Sequence, residues 1–290
     1  MFSGSIPALV TPFASKRVDE AAYRSLIEWQ IDQGSSALVP CGTTGEAATL
    51  SLTEHPRLIQ LAVEVARGRV PVIAGCGSND TARAVELTKS AAAAGADAAL
   101  HVPPYYNRPN QEGMEAHIVA VADLGIPIIL YNVPARTITE FSVETIGRLA
   151  RLPNVVGIKD ATGDLSRVTA QRLECGEDFC QLSGNDDTAL GFYAMGGVGC
   201  ISITANVAPR LCADFQAAMR AGRWDEALAL QDRLYPLHAA MFADASPGPV
   251  KYALSKVRPG FSTELRLPMT EPSAAAKAVI DAALAYAGLA

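Results

Sequence analysis

Few residues of this chain announce a function by type. It has only four histidines in 290 residues, and His55, His101, His117 and His238 form no HExxH or HxH pattern, so no metal site is expected. It has six cysteines and no CxxC pair. Cys41, Cys76, Cys175, Cys180, Cys200 and Cys212 sit mostly in apolar contexts, as reduced thiols packed as small hydrophobes do in a cytoplasm. Basic residues are in deficit: 24 lysines and arginines face 30 aspartates and glutamates, a net charge of −6, which argues against a nucleic-acid partner. No apolar run approaches the ~18 residues that span a bilayer, so no membrane partner is expected. Met1-Phe2-Ser3-Gly4-Ser5 lacks the basic n-region of a signal peptide, and a cytoplasmic protein is expected. No GxGxxG turn follows a strand, which counts against a dinucleotide-binding sheet.

What is present is patterned. Hydrophobic content of 49% with 19% charged residues describes a globular chain, long enough for one barrel of ~250 residues with an appendage. Short apolar runs at 5–13, 37–39, 70–74, 98–102, 127–131, 155–158, 180–182 and 198–203 read as strands. Each is followed by a polar or Gly-rich loop and a stretch at helical spacing. The first helix opens at Asp19 and stops at Gly34, the second is capped by Thr53, and a later one is capped by Ser142. Eight strand–loop–helix units, each a right-handed crossover, predict an α/β fold, a (β/α)8 TIM barrel, over residues 1–222. An open doubly wound sheet is the alternative. Beyond Gly222 the strands stop. Helices at 224–234, 237–243, 249–256 and 273–287, with Pro-containing breaks, predict a C-terminal helical appendage over 223–290.

One stretch organises the rest, Val155-Val156-Gly157-Ile158-Lys159-Asp160-Ala161-Thr162-Gly163-Asp164. The residues up to Ile158 read as a buried strand, and Lys159 follows at once. Lysine is seldom buried without a partner. Either it snorkels from the strand end to solvent, or it is an amine nucleophile that forms a Schiff base with a carbonyl substrate. The other strand ends bear on the choice, because barrels of this type gather their chemistry there. Those ends hold Thr43, Thr44, Tyr105, Tyr106, Tyr131, Arg136, Gly184 and Ile201, with no carboxylate pair and no Ser-His-Asp set. An amine with proton-shuttling hydroxyls suits carbon–carbon bond chemistry on a keto acid.

Each of these residues also has a plainer reading. Gly42-Thr43-Thr44-Gly45 is either a tight turn or a nest of N–H groups and hydroxyls for a carboxylate. Tyr105 and Tyr106 could be interface packing, and Tyr131 a strand-end core residue. Arg136 is either a surface charge or a bidentate clamp on a substrate carboxylate. Cys41 lies beside the candidate site, where core packing is its expected role. A non-catalytic barrel that binds keto acids is the reading from a different class.

Six ordered motifs then carry a resemblance: GTTGE at 42–46, PYYNRP at 104–109, YNVPART at 131–137, GIKDATGD at 157–164, LSGND at 182–186 and ISITANV at 201–207. They resemble the dihydrodipicolinate synthase family of pyruvate-dependent Schiff-base aldolases, a group that includes N-acetylneuraminate lyase. The similarity runs from GSIPALVTPF at the start to LRLPMT at 265–270. The Thr43-Thr44 pair and Arg136 resemble the synthase. The lyase usually has Ser-Thr in the first motif and lacks that arginine, and a lyase-type aldolase is the near alternative. Asp160 departs from the Glu that is commoner after the lysine, which shortens an acidic side chain and leaves the lysine register intact.

The resemblance implies a lyase reaction in diaminopimelate and lysine biosynthesis. Pyruvate condenses with Lys159 to an imine, which tautomerises to an enamine. The enamine carbon attacks the aldehyde of L-aspartate 4-semialdehyde, and the amino group of that substrate closes the ring and displaces Lys159. No cofactor beyond this imine is implied. Thr43, Tyr106 and Tyr131 match the proton-relay hydroxyls, Thr44 the pyruvate carboxylate site, and Arg136 the semialdehyde carboxylate site. Gly184 and Ile201 match pocket and backbone contacts. The resemblance further implies a homotetramer, a dimer of dimers, with Tyr106 acting across a subunit interface. Many relatives bind L-lysine at that interface. Ala48, Leu50, His55, Asn79 and Tyr105 keep the type of that site, whereas Ala47, Leu52 and Arg83 stand where lysine-sensitive relatives have Ser, His and an acidic residue. A guanidinium at 83 in place of an acid is expected to repel the ligand ammonium.

Overall fold

The computed structural model describes residues 2–289. Its strands are β1 (Gly4–Pro7), β2 (Phe13–Ala14), β3 (Arg17–Val18), β4 (Ile73–Gly75), β5 (Ala98–His101), β6 (Ile128–Asn132), β7 (Val155–Asp160), β8 (Cys180–Ser183) and β9 (Gly199–Ser202). Seven of them form one parallel sheet in the order β1-β9-β8-β7-β6-β5-β4. The segment 37–40 closes it. Val39 N–H donates to the Pro7 carbonyl at 3.0 Å and Leu9 N–H to the Val39 carbonyl at 3.0 Å on one side. On the other side, Ile73 N–H donates to Leu38 at 2.8 Å and Gly75 N–H to Pro40 at 2.9 Å. The expected second strand therefore survives as isolated bridges, Ala8 to Val39 and Leu38 to Val72. The prolines at 7, 40 and 71 supply no N–H, and the ladder there is thin for that reason. With this segment the curled sheet closes into the expected eight-unit barrel.

Alternation along the strands sorts the core into two layers. Ile6, Val39, Ile73, Leu100, Ile129, Leu182 and Ile201 face inward and fill the barrel. Their neighbours face the helices and meet residues such as Leu26, Leu58, Ile118 and Ile146. Burying one such leucine fully is worth ~1.5–3 kcal/mol. The helix Glu20–Asp32 opens at Asp19, whose carboxylate accepts the Ala22 N–H at 2.9 Å, and Ser142 caps the helix Val143–Leu149 in the same way.

Several details differ from expectation. Thr53 makes no capping bond. Ser51 does the work instead: its hydroxyl accepts the Glu54 N–H at 3.2 Å, and the Glu54 carboxylate accepts the Ser51 N–H at 2.9 Å, a reciprocal S-x-x-E box. The first apolar run ends as a strand at Pro7, and β2 and β3 form a hairpin whose tip residues, Ser15 and Lys16, both have positive φ, as a type I′ turn demands. Residues 134–137, expected as loop, form the short helix Pro134–Thr137. The break expected near Pro236 is absent, and one helix, Trp224–Ala240, runs through it. Leu234, Leu237 and Ala240 are fully buried, and Arg233 ties this helix to the Ala287 carbonyl. Tertiary packing outweighs the one backbone bond that the proline removes. The helices Gly248–Val257 and Ala274–Ala287 complete the C-terminal region.

Candidate active site

The strand β7 continues past Ile158 through Lys159 and Asp160. Lys159 is level with Tyr131 on β6 and Leu182 on β8, so the three side chains share the inner face. Lys159 is only 6% exposed. Its Nζ lies 4.2 Å from the centroid of the Tyr131 ring, and among the described residues it has no ion pair. The contrast is with Lys251, the other buried lysine, which is paired with Glu46. Snorkelling does not account for Lys159, because its amine stays inside.

The space beside that amine is kept by a glycine. A Cβ on Gly184 would come 2.6 Å from the Ala161 Cβ and 3.0 Å from Lys159 Cε. Asp160 points away from the amine. Its carboxylate accepts the Thr162 N–H and hydroxyl at 2.9 and 2.6 Å, the Gln171 amide at 2.8 Å and Arg167 Nε at 3.3 Å. Polar residues lace the mouth at other strand ends too. Asn132 holds both the Phe141 N–H and its carbonyl at 2.9 Å. Asp186 accepts the Ile203 and Thr204 N–H groups at 2.9 and 3.2 Å, and Asn206 bridges Val10 N–H and the Ala8 carbonyl. These contacts tie neighbouring strand ends and loops together.

A cavity of about 670 Å³ opens above this layer, and Thr43, Tyr131 and Arg136 line it. Lys159 is not among the residues that line it; its amine lies beside the Tyr131 ring, which does. The turn 42–46 is tight: Gly45 N–H donates to Gly42 at 3.0 Å and Glu46 N–H to Thr43 at 3.1 Å. The Thr43 and Thr44 N–H groups have no acceptor among the described residues. Two free donors beside a hydroxyl form the kind of nest that takes a carboxylate. Thr43 is exposed to the cavity and Thr44 is buried. Arg136 sits in the short helix started by Pro134, and its guanidinium has no acceptor among the described residues, so its forked donors are free. Ile201 is fully buried on β9 opposite Ile6.

Tyr106 is not brought to the cavity of its own chain. It is 89% exposed with φ +70°, an uncommon backbone for a bulky residue. Its loop is pinned by the Asn107 side-chain amide, which donates to the Asn79 carbonyl at 2.8 Å. Tyr105 lines the cavity with Ala47, Ala48, Leu50, His55 and Arg83, so these positions expected for a regulatory ligand border the same space, whereas Asn79 and Leu52 do not line it. Arg83 pairs with Glu86 one turn along its helix at 2.7 Å, and Leu52 is exposed. His55 Nε2 bonds the Gly75 carbonyl at 2.8 Å, and burial holds its ring below the usual imidazole range.

The other histidines are buried and bonded to side chains. His101, His117 and His238 each bond a threonine hydroxyl, on Thr88, Thr81 and Thr204. Burial pushes the Cys41 thiol well above its usual value and Cys76 up to about 12, which suits packing and not nucleophilic attack.

The residues that sequence reasoning missed are Glu46, Lys251 and Arg266. The sequence shows Glu46 only as the end of GTTGE, Lys251 only as part of the helix at 249–256, and Arg266 only as part of LRLPMT. Their single sequence-level signal was a lysine, Lys251, inside the otherwise apolar start of a helix.

The closed sheet and its helices define a (β/α)8 barrel, with the candidate residues at the C-terminal ends of its strands. The family model described as "Dihydrodipicolinate synthetase family" matches residues 1–287, and the chain belongs to that family. It is 65% identical over 291 residues to the 4-hydroxy-tetrahydrodipicolinate synthase of Rhizorhabdus wittichii, covering 100% of both chains. Among solved structures, it is 43% identical to the chloride-inhibited dihydrodipicolinate synthase from Acinetobacter baumannii complexed with pyruvate, covering 100% of both chains with a TM-score of 0.96. It is 41% identical to the dihydrodipicolinate synthase from Aquifex aeolicus, covering 99% of both with a TM-score of 0.97.

Proposed function

We propose that this chain is a 4-hydroxy-tetrahydrodipicolinate synthase, a lyase that condenses pyruvate with L-aspartate 4-semialdehyde for diaminopimelate and lysine biosynthesis. The observation that carries the reading is Lys159, buried under Tyr131 without a charge partner. Its amine adds to the keto carbon of pyruvate and water leaves, giving an imine. Loss of a methyl proton makes the enamine, whose carbon bonds the aldehyde carbon. The substrate's amino group then attacks the imine carbon, closes the ring and releases Lys159. No cofactor takes part beyond this covalent imine.

Thr43 and Tyr131 carry protons at the cavity wall, and Tyr106 of the partner subunit completes the relay. The exposure of Tyr106 supports that assignment, since its hydroxyl is free for a second copy of the chain. Thr44 and the free amides of its turn hold the pyruvate carboxylate, and the unpaired Arg136 takes the semialdehyde carboxylate. Gly184 leaves room for the amine, and Ile201 supplies a wall. The working unit is a homotetramer built as a dimer of dimers, in the cytoplasm, with residues 1–222 as the catalytic barrel and 223–290 as its helical region. Among the described residues no helix is long and apolar enough to cross a membrane.

Borohydride reduction in the presence of pyruvate tests the central assignment. The peptide containing Lys159 gains the mass of a reduced pyruvate adduct, and Lys159→Ala gains none and loses activity. Label on another peptide, or full activity in Lys159→Ala, would sink it.

A further inference from the structure

Lys251 lies on the helix Gly248–Val257 and is fully buried. Its Nζ is 2.5 Å from Glu46 Oε1, across 205 residues of sequence, and it also donates to the Glu264 carbonyl at 2.7 Å. The second oxygen of Glu46 accepts the Arg266 N–H at 3.0 Å. Arg266 in turn forks onto Glu54 at 2.6 and 2.8 Å and donates to the Thr49 and Lys16 carbonyls. Both cations lie 4.3 Å from the centroid of the Phe13 ring. A lysine and an arginine from the C-terminal region thus grip the segment that begins with Thr43 and Thr44.

That segment is not relaxed. Cys41 and Glu46, which bracket the turn, both have φ +57°, a left-handed conformation uncommon for residues with a Cβ. Gly45 has no room for a Cβ, which would come 2.9 Å from the Leu9 carbonyl oxygen. The turn thus has little freedom to repack at Gly45, and the Glu46 carboxylate is the point where Lys251 and Arg266 hold it. Stability alone does not explain the pair. Two buried charges are costly to desolvate, and apolar residues of like volume often stabilise as well or better. An ion pair adds direction: it fixes where the Glu46 carboxylate sits.

We infer that Lys251, acting through Glu46, is a positioning residue that sets the Thr43-Thr44 turn against Lys159, so that the C-terminal helices tune pyruvate binding. This rests on the reading of that turn as the pyruvate carboxylate site. In Lys251→Met/Glu46→Gln, which removes both charges together, the pyruvate KM is expected to rise at least tenfold while the semialdehyde KM changes less than twofold. Glu46→Asp keeps both charges and retracts the carboxylate by one methylene; it shows the same split at smaller size. Ile280→Ala, which opens a cavity on the buried face of the last helix, lowers Tm and leaves the pyruvate KM as it was.

Thr44→Val separates the two layers of the argument. If it leaves the pyruvate KM unchanged, the carboxylate reading of the turn fails. If it raises that KM while both clamp variants stay within twofold of the parent, the positioning role fails alone. If the double variant does not fold, Glu46→Asp decides by the same criterion.

Discussion

Gly184→Ala is the sharpest probe of the amine's surroundings. The new methyl would stand 2.6 Å from the Ala161 Cβ and 3.0 Å from Lys159 Cε, both inside normal contact. Overpacking of this size costs ~1–3 kcal/mol. If the strain is relieved by turning the lysine aside, the same energy appears as a barrier to imine formation, roughly 5- to 150-fold in rate. The assay is the rate of borohydride-trapped pyruvate adduct, read by mass, beside Tm. Gly184→Ala is expected to slow trapping within that range and to lower Tm. Adding Ala161→Gly removes the tighter contact, so Tm recovers, while the contact at Cε keeps trapping about threefold down, equal to ~0.7 kcal/mol. Trapping at the parent rate in Gly184→Ala would refute the claim that the glycine makes room for the amine.

Further expectations follow from single side chains. Arg136→Ala removes a bidentate charged contact worth ~1.5–3 kcal/mol, so semialdehyde affinity falls roughly 10- to 150-fold while pyruvate trapping holds; equal loss of both would show the assignment wrong. Mixing inactive Lys159→Ala with inactive Tyr106→Phe is expected to restore some activity through mixed dimers, and no recovery despite subunit exchange would place Tyr106 in its own chain. L-Lysine is expected to inhibit weakly, because Arg83 faces the shared cavity where an acid would be needed; half-inhibition below about a millimolar, binding worth over ~4 kcal/mol, contradicts that. Hydrogen bonds from Arg266 pull the Glu54 carboxyl down to about 2 against its partial burial. The lowered value means that this contribution, on the order of 2–3 kcal/mol, is complete above the unfolded carboxyl's range and drains away as pH falls from about 4.5 to 2. Urea unfolding of the parent and Glu54→Gln should therefore converge across that window, and a constant gap would rule out the linkage.

Local physics made much of this protein legible from its residues. Short β-branched runs alternating with helical spacing can close only a few ways, and eight of them imply a barrel. Asp19 and Ser142 cap their helices because a short side-chain oxygen is the simplest partner for free N–H groups. Thr43, Tyr131 and Arg136 stand at strand ends in the sequence and line one cavity in the fold, and Lys159 at its buried strand end lies beside Tyr131. What the sequence could not supply was contact across long separations. Whether Lys159 was paired depended on which carboxylates came near it; Asp160, its immediate neighbour, turned out to serve Arg167 and Gln171. The continuous helix through Pro236 was decided by what Leu234 and Leu237 pack against, not by propensity. The grip of Lys251 and Arg266 on Glu46 joins residues more than 200 positions apart, and no periodicity or motif encodes such a meeting. Strand register and side-chain spacing are local and repeat along the chain. Charge compensation in a dry interior is not local, and only the folded chain shows which charges meet.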